Sequence, residues 1–421
     1  MMVFSLPPDA GPGAETLTRQ EAEQLALKNN PGVSVAMLIA LAQKQVTRET
    51  RAAELPGITG NGAAVGAEQA SRLSSLGLTS SRLLNHVGAG VELSQLITDF
   101  GRTHNLIASS SLQAKAAAQS AEATQEDIVF AVDLAFYEAL EAQATLQVAQ
   151  STAKERQNVA DQIDALTSSK LKSTLDQSFA HVALSQARLL VLDSQNQENA
   201  AMAALSDILG TTNDMEYLLV DDAAIPAPPA DSAQALIAIA LKQRPDLQAQ
   251  QLAHQADVRF SRAQHEQLLP TISAQGTVGA TPVGSNTYYL QNWYGAAGVN
   301  VQVPIFDGFK FRAEAAEADL RAKASDEKSR QLIDHIVRDV RTAWLSMMTA
   351  KDRMLVTAEL LKEANTSLDL AQTRYQLGLS SIVELSQAQL VQTQAQIQDA
   401  NARFEYEADL ATLRFQSGSR P

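Results

Sequence analysis

The side chains that most often carry chemistry are thinly spread in this sequence. The histidines, His86, His104, His181, His254, His265 and His335, stand far apart. None forms the His-x-x-x-His spacing that sets two imidazoles on one helical face over a zinc ion, and His265-Glu266 has no second histidine to complete such a motif. There is no Gly-rich phosphate loop and no Gly-x-Ser-x-Gly elbow to expose a serine nucleophile. Cysteine is absent, which excludes disulfides, thiolate metal sites and a thiol nucleophile. No catalytic residue, metal or cofactor is expected. The stretch that does concentrate function is Arg374-Tyr375-Gln376-Leu377-Gly378-Leu379-Ser380-Ser381, followed by Glu384. Gly after helical sequence and Ser before more of it are stop and start signals, so this reads as a turn between two helices. Leu377 and Leu379 on such a turn either meet a partner surface or pack within the hairpin.

Long helices must position that turn. Of 421 residues, 45% are hydrophobic but only 5% aromatic, and much of the apolar share is Ala. Ala and Leu with Gln, Glu, Lys and Arg favour helix. The net charge of −14 argues against nucleic-acid binding, which needs a basic face. No run of 18 apolar residues exists, so no transmembrane helix is expected. The opening Met1-Met2-Val3-Phe4-Ser5-Leu6-Pro7-Pro8 lacks the pattern of an export signal.

In order along the chain, residues 1–17 read as a flexible lead-in. Thr18 and Glu21 form a capping box that opens a helix, broken at Asn30-Pro31 and ended at Leu55-Pro56. A β-hairpin is expected over about 58–97. Val87, Ala89, Val91 and Leu93 alternate there with Gly88, Gly90, Glu92 and Ser94, giving one apolar and one polar face. Ile58–Gly66 is the weaker partner, and a polar loop holding Ser71, Ser74, Ser75, Thr79 and Ser80 joins the two. Asp99 then caps a helix of roughly 100 Å. A polar tip at about 167–173 and another helix complete a first repeat, 18–210. Residues 211–231, with Pro226, Pro228 and Pro229, form a linker.

The series then recurs over 232–416, ahead of a short tail, 417–421. Pro31 and Pro56 reappear as Pro245 and Pro270 at one common offset, and Asp99 reappears as Asp307. A second hairpin is expected at about 271–304 and a second tip at about 377–381. Ile128, Val132, Ala135, Ala139, Ala142, Leu146, Ala149 and Ala153 alternate steps of four and three. Ile336, Val340, Ala343, Met347, Ala350, Met354, Thr357 and Leu361 repeat that spacing at the offset of Asp99 to Asp307. Such a pattern is a coiled-coil seam.

These elements give a mainly α fold with membrane β: long coiled-coil hairpins with four strands per chain. Four strands cannot close a barrel, whose smallest spanning form has about eight. Each strand nevertheless has the length and the one-sided apolar face of a membrane strand. Tyr288, Tyr289, Trp293 and Tyr294 cluster beside the second hairpin like an interfacial aromatic girdle. Several chains sharing one barrel resolve the conflict, and three copies would supply twelve strands. The alternative is a soluble coiled-coil scaffold without channel activity, which has no need of alternating strands or of that aromatic cluster.

The chain resembles the TolC-type outer-membrane efflux proteins from about Leu17 to Phe415. The resemblance rests on Leu25-Ala26-Leu27-Lys28-Asn29-Asn30-Pro31, Leu268-Leu269-Pro270, Val303-Pro304-Ile305-Phe306-Asp307-Gly308 and Tyr375-Gln376-Leu377-Gly378 with Glu384, in tandem order. It implies a homotrimer in the bacterial outer membrane, its α-barrel continuous with a shared 12-stranded β-barrel. Most of the mass would lie in the periplasm, docked to an adaptor and an inner-membrane transporter. It implies an export signal too, so the expectation is that such a signal has been removed ahead of Met1.

The resemblance also assigns roles at the tips. Glu384 would ring the periplasmic mouth and favour cations, with Gln387 beside it and Asp176 matching it in the first half. A solvated helix-face Glu is the competing reading. Tyr375 and Arg374 would hold the mouth shut, unless Tyr375 is simply a seam aromatic. Leu377, Gly378, Leu379 and Ser380, with Lys170, Leu171 and Lys172 of the first tip, would contact the adaptor. Asp99 and Asp307 are read as helix caps.

Overall fold

The computed structural model describes residues 15–65, 72–75, 78–82, 86–211, 217–221, 225–229, 231–280 and 293–418. Tyr288 and Tyr289 lie outside these residues. In chain order the elements begin with β1 (Glu15–Leu17), α1 (Arg19–Asn29) and α2 (Pro31–Ala52). There follow β2 (Gly57–Val65), β3 (Arg72–Ser75), β4 (Leu78–Arg82), β5 (His86–Thr98), α3 (Arg102–Ser168) and α4 (Thr174–Leu209). After β6 (Tyr217–Leu219) come α5 (Ala233–Gln243), α6 (Pro245–His265), β7 (Thr271–Ala280) and β8 (Trp293–Gln302). The chain closes with α7 (Lys310–Gln376) and α8 (Ile382–Ser417). Helix lengths recur: α3 and α7 each have 67 residues, α4 and α8 each 36, α1 and α5 each 11.

Two stretches read as irregular are partly ordered. Residues 15–17, assigned to the lead-in, form β1, which pairs in parallel with β6 from the linker. The polar loop of the first hairpin contains an antiparallel pair, β3 with β4. β1 and β6 are three residues each, too short for an alternation argument, and their Leu17 and Leu219 are buried in the helical core.

The chain divides into two compact units. The first comprises Met1–Met37, Ser120–Leu247 and Gln331–Pro421. Its two helical cores are built alike. Ala22, Ala26, Val132, Ala135, Phe136, Ala139, Leu205 and Leu209 form one; Leu236, Ile237, Ala240, Ile336, Val340, Ala343, Met347 and Leu413 form the other. The four-three seam therefore faces inward in both halves, and each fully buried Leu there contributes roughly 1.5–3 kcal/mol. Thr18 and Glu21 exchange the expected capping-box bonds. At the α1–α2 break, Asn30 Nδ2 donates to the Ile208 carbonyl (2.8 Å). Gly210, at φ +67°, ends α4 so close to Asn29 that a Cβ there would meet its carbonyl oxygen at 2.9 Å. Arg244 takes the matching place in the second half, with Nη1 donating to Gln416 Oε1 (2.8 Å).

The second unit comprises Leu38–Gln119 and Gln248–Arg330. It holds a four-stranded antiparallel sheet in the order β2-β5-β7-β8. Its strand-to-helix junctions are capped by aspartates. Thr103 N–H donates to Asp99 Oδ2 (2.8 Å) and Phe311 N–H to Asp307 Oδ2 (2.6 Å). No single described helix is long and apolar enough to cross a membrane; α1 and α2 pass such a test only as a pair, bent by 49°.

Candidate functional site: helical tips and exposed sheet face

Both helical tips are Schellman turns, in which the first residues past a helix return their N–H groups to its last carbonyls. At the first, Lys170 N–H donates to the Thr167 carbonyl and Leu171 N–H to that of Leu166, both at 2.9 Å. At the second, Gly378 N–H donates to the Tyr375 carbonyl (3.1 Å) and Leu379 N–H to that of Arg374 (2.8 Å). The motif requires left-handed backbone at its pivot. Gly378 supplies it freely at φ +72°, whereas Lys170 is held at φ +62° despite its side chain.

The next helix starts differently at the two tips. Ser173 and Asp176 form a complete capping box, with the Asp176 carboxylate accepting from both the N–H and the hydroxyl of Ser173. Ser381 caps α8 by accepting from Glu384 N–H (3.4 Å), but the Glu384 carboxylate turns away to Arg374, whose Nε lies 3.2 Å off. Arg374 and Glu384 are thus brought together, while Asp176 is engaged locally. Gln387 is exposed on α8.

Tyr375 is buried among Ala160, Ile163, Ala180, Leu184, Ile382 and Leu385, so it packs where the two hairpins meet. Lys172 Nζ sits 3.8 Å from its ring centroid, a cation–π contact joining one tip to the other. The Tyr375 hydroxyl is buried without a hydrogen-bond partner among the described residues. Leu171, Leu377 and Leu379 are 71%, 68% and 67% exposed. Arg156 escaped the sequence reading. It is buried, donates to the Gln389 carbonyl (3.0 Å) and Thr393 Oγ1 (3.3 Å), and its pKa is pulled down by burial. The signal was present: the repeat sets Ala364 in its place.

In the sheet, register sorts side chains onto two faces. Adjacent strands align Ile58 with Leu93, Gly60 with Val91, Val91 with Val278, and Ala274 with Val299. Ile58, Val91, Leu93, Val278, Val299 and Val301 on that apolar face are all exposed. The other face carries Thr59, Asn61, Glu92, Ser94, Gln275, Thr277 and Asn300. Trp293, 76% exposed, belongs to the apolar face. Tyr294, its neighbour, must point the other way and leaves the girdle. Its ring lies over Gly279 and Gly90, where a Cβ would come within 2.5 and 2.6 Å of the hydroxyl. Among the described residues, no strand covers the outer edge of β2 or of β8.

Paired helical hairpins, together with an antiparallel sheet whose apolar face is exposed, are the parts of an outer-membrane channel subunit. The chain belongs to the outer membrane efflux protein family, whose profile matches residues 23–211 and again residues 236–419. It is similar to the outer membrane protein OprJ of Pseudomonas aeruginosa, 26% identical over 87% of this chain and 76% of the relative. It is also similar to the protein CyaE of Bordetella pertussis, 25% identical over 89% and 78%. Its fold matches the crystal structure of the Campylobacter jejuni CmeC outer membrane channel with a TM-score of 0.84, at 17% identity over 95% of this chain and 85% of the other.

Proposed function

We propose that this protein is the outer-membrane channel of a tripartite efflux or secretion system, a passive homotrimeric conduit gated at its helical tips. The observation that carries this reading is the sheet. It has an apolar face left in solvent and two open edges along strands of nine and ten residues. Open edges of that length invite further strand pairing, and in lipid every backbone group must be paired, so the sheet has to close. Three copies would supply twelve strands and remove both edges. The apolar face then meets lipid with Trp293 at the interface, and the polar face lines water.

The tips fit a closed mouth facing the periplasm, where most of the mass would lie. The Arg374–Glu384 pair and Lys172 on Tyr375 are non-covalent ties between helix ends. The ion pair is exposed and worth about 0–1 kcal/mol, so a partner's contact energy suffices to break it. Leu171, Leu377, Leu379 and Ser380, flanked by Lys170 and Lys172, suit docking by a periplasmic adaptor linked to an inner-membrane transporter. Glu384 and Gln387 would then face the opened path and favour cations. Cargo passes without covalent change.

The test is to express the chain behind an export signal, extract it in detergent, and measure its mass and its conductance in planar bilayers. A particle of three chains that conducts supports the reading. A monomer that does not conduct overturns it.

A further inference from the structure

The four-stranded sheet carries one acidic side chain, Glu92. It lies in the row Thr59–Glu92–Thr277–Ala296, so its cross-strand neighbours are neutral. Val91 and Leu93 on either side point to the apolar face. Glu92 is exposed and makes no hydrogen bond or ion pair among the described residues. It lines a groove of about 350 Å³ with Gln275, Thr277 and Asn300. Measured from the helical end of β5, it stands about 20 Å along the strand, well inside the span of a tilted membrane strand. The next row outward holds Gly90, Gly279 and the Tyr294 ring, which narrows the same polar face.

A carboxylate at that depth is disfavoured against lipid and is tolerated where the face lines water. Nothing structural accounts for it, since no cation, cap or backbone donor among the described residues uses it. We infer that Glu92 forms a second selectivity element, a carboxylate ring inside the membrane barrel that attracts cations independently of the tip residue Glu384. This rests on the trimeric-channel reading, because one chain contributes one carboxylate. At about 10 Å through water, each of the three charges would enrich a passing cation roughly two-fold.

The experiment is the reversal potential of the reconstituted channel under a KCl gradient. Wild type is compared with Glu92→Gln, Glu92→Lys, Glu384→Gln and the Glu92→Gln/Glu384→Gln double variant. Both Glu92 substitutions should shift the potential toward the chloride limit, Glu92→Lys further. Glu384→Gln alone should leave a residual cation preference that the double variant loses. The chain lacks cysteine, so Glu92→Cys provides an independent readout. A negatively charged methanethiosulfonate added from the outer side should restore cation preference, and a positively charged one should invert it. Channels that conduct normally but show unchanged potentials in the Glu92 variants, or no response to either reagent, overturn the ring and leave the channel intact. A wild-type particle that fails to conduct overturns both.

Discussion

Glu23 shows how one residue can couple the helical core to pH. Its carboxylate and that of Asp133 share Arg19, which bonds Glu23 and lies 3.1 Å from Asp133. Tyr137 on α3 lies beside this cluster, and Glu407 and Arg414 of α8 act on that tyrosine. Burial, and then the negative charge of Asp133, push Glu23 up from 4.5 to about 7. The folded chain therefore holds a proton there that the unfolded chain has released, throughout the window from 4.5 to about 7. Stability must fall as pH rises through that window. The neutral isostere Glu23→Gln should flatten this dependence and raise the melting temperature above pH 7, read by circular dichroism across a pH series. An unchanged slope would place the charge elsewhere. Of the residues at the candidate site, the turn leucines and Glu384 were legible in the sequence. The Arg374–Glu384 pair was not, because it depends on which of two helix starts completes its capping box.

The helical tips make the corresponding point for elements. The tandem offset aligns Lys170 with Gly378, and both occupy the left-handed pivot of a Schellman turn. Nothing lies within 4 Å of a Cβ placed on Gly378. Gly378→Ala should therefore reveal the backbone penalty alone, a loss of about 1 kcal/mol, measured by denaturant unfolding. Lys170→Gly should change stability less, because relief of the left-handed strain is offset by the added freedom of the unfolded chain. A Gly378→Ala variant as stable as wild type would mean that the tip can open without its turn.

Across the whole molecule, α4 carries two stripes. Ala180, Leu184, Ala187 and Ser194 are buried, whereas Leu175, Phe179, Val182, Leu189 and Leu192, also in steps of three, four and seven, are exposed. A second heptad seam left in solvent calls for another helix. In the trimer that we propose, a neighbouring copy covers it. Leu189→Glu should then reduce the detergent-extracted particle to monomers by light scattering while helical content stays the same. A trimer of unchanged mass would move the subunit seam to another face.

Sequence alone determined the duplicated order of elements, because the four-three seams and the recurring prolines are local signals, each of which recurs at its own fixed offset. It also determined which faces are apolar, since side-chain periods of 3.6 and two follow from backbone geometry. The β1–β6 and β3–β4 pairings, the partners of the buried Arg156 and the glycines beneath the Tyr294 ring were decided only by tertiary structure. Each depends on a partner that local sequence does not name: a strand edge, an α8 carbonyl, or the row of glycines that leaves room for an aromatic ring.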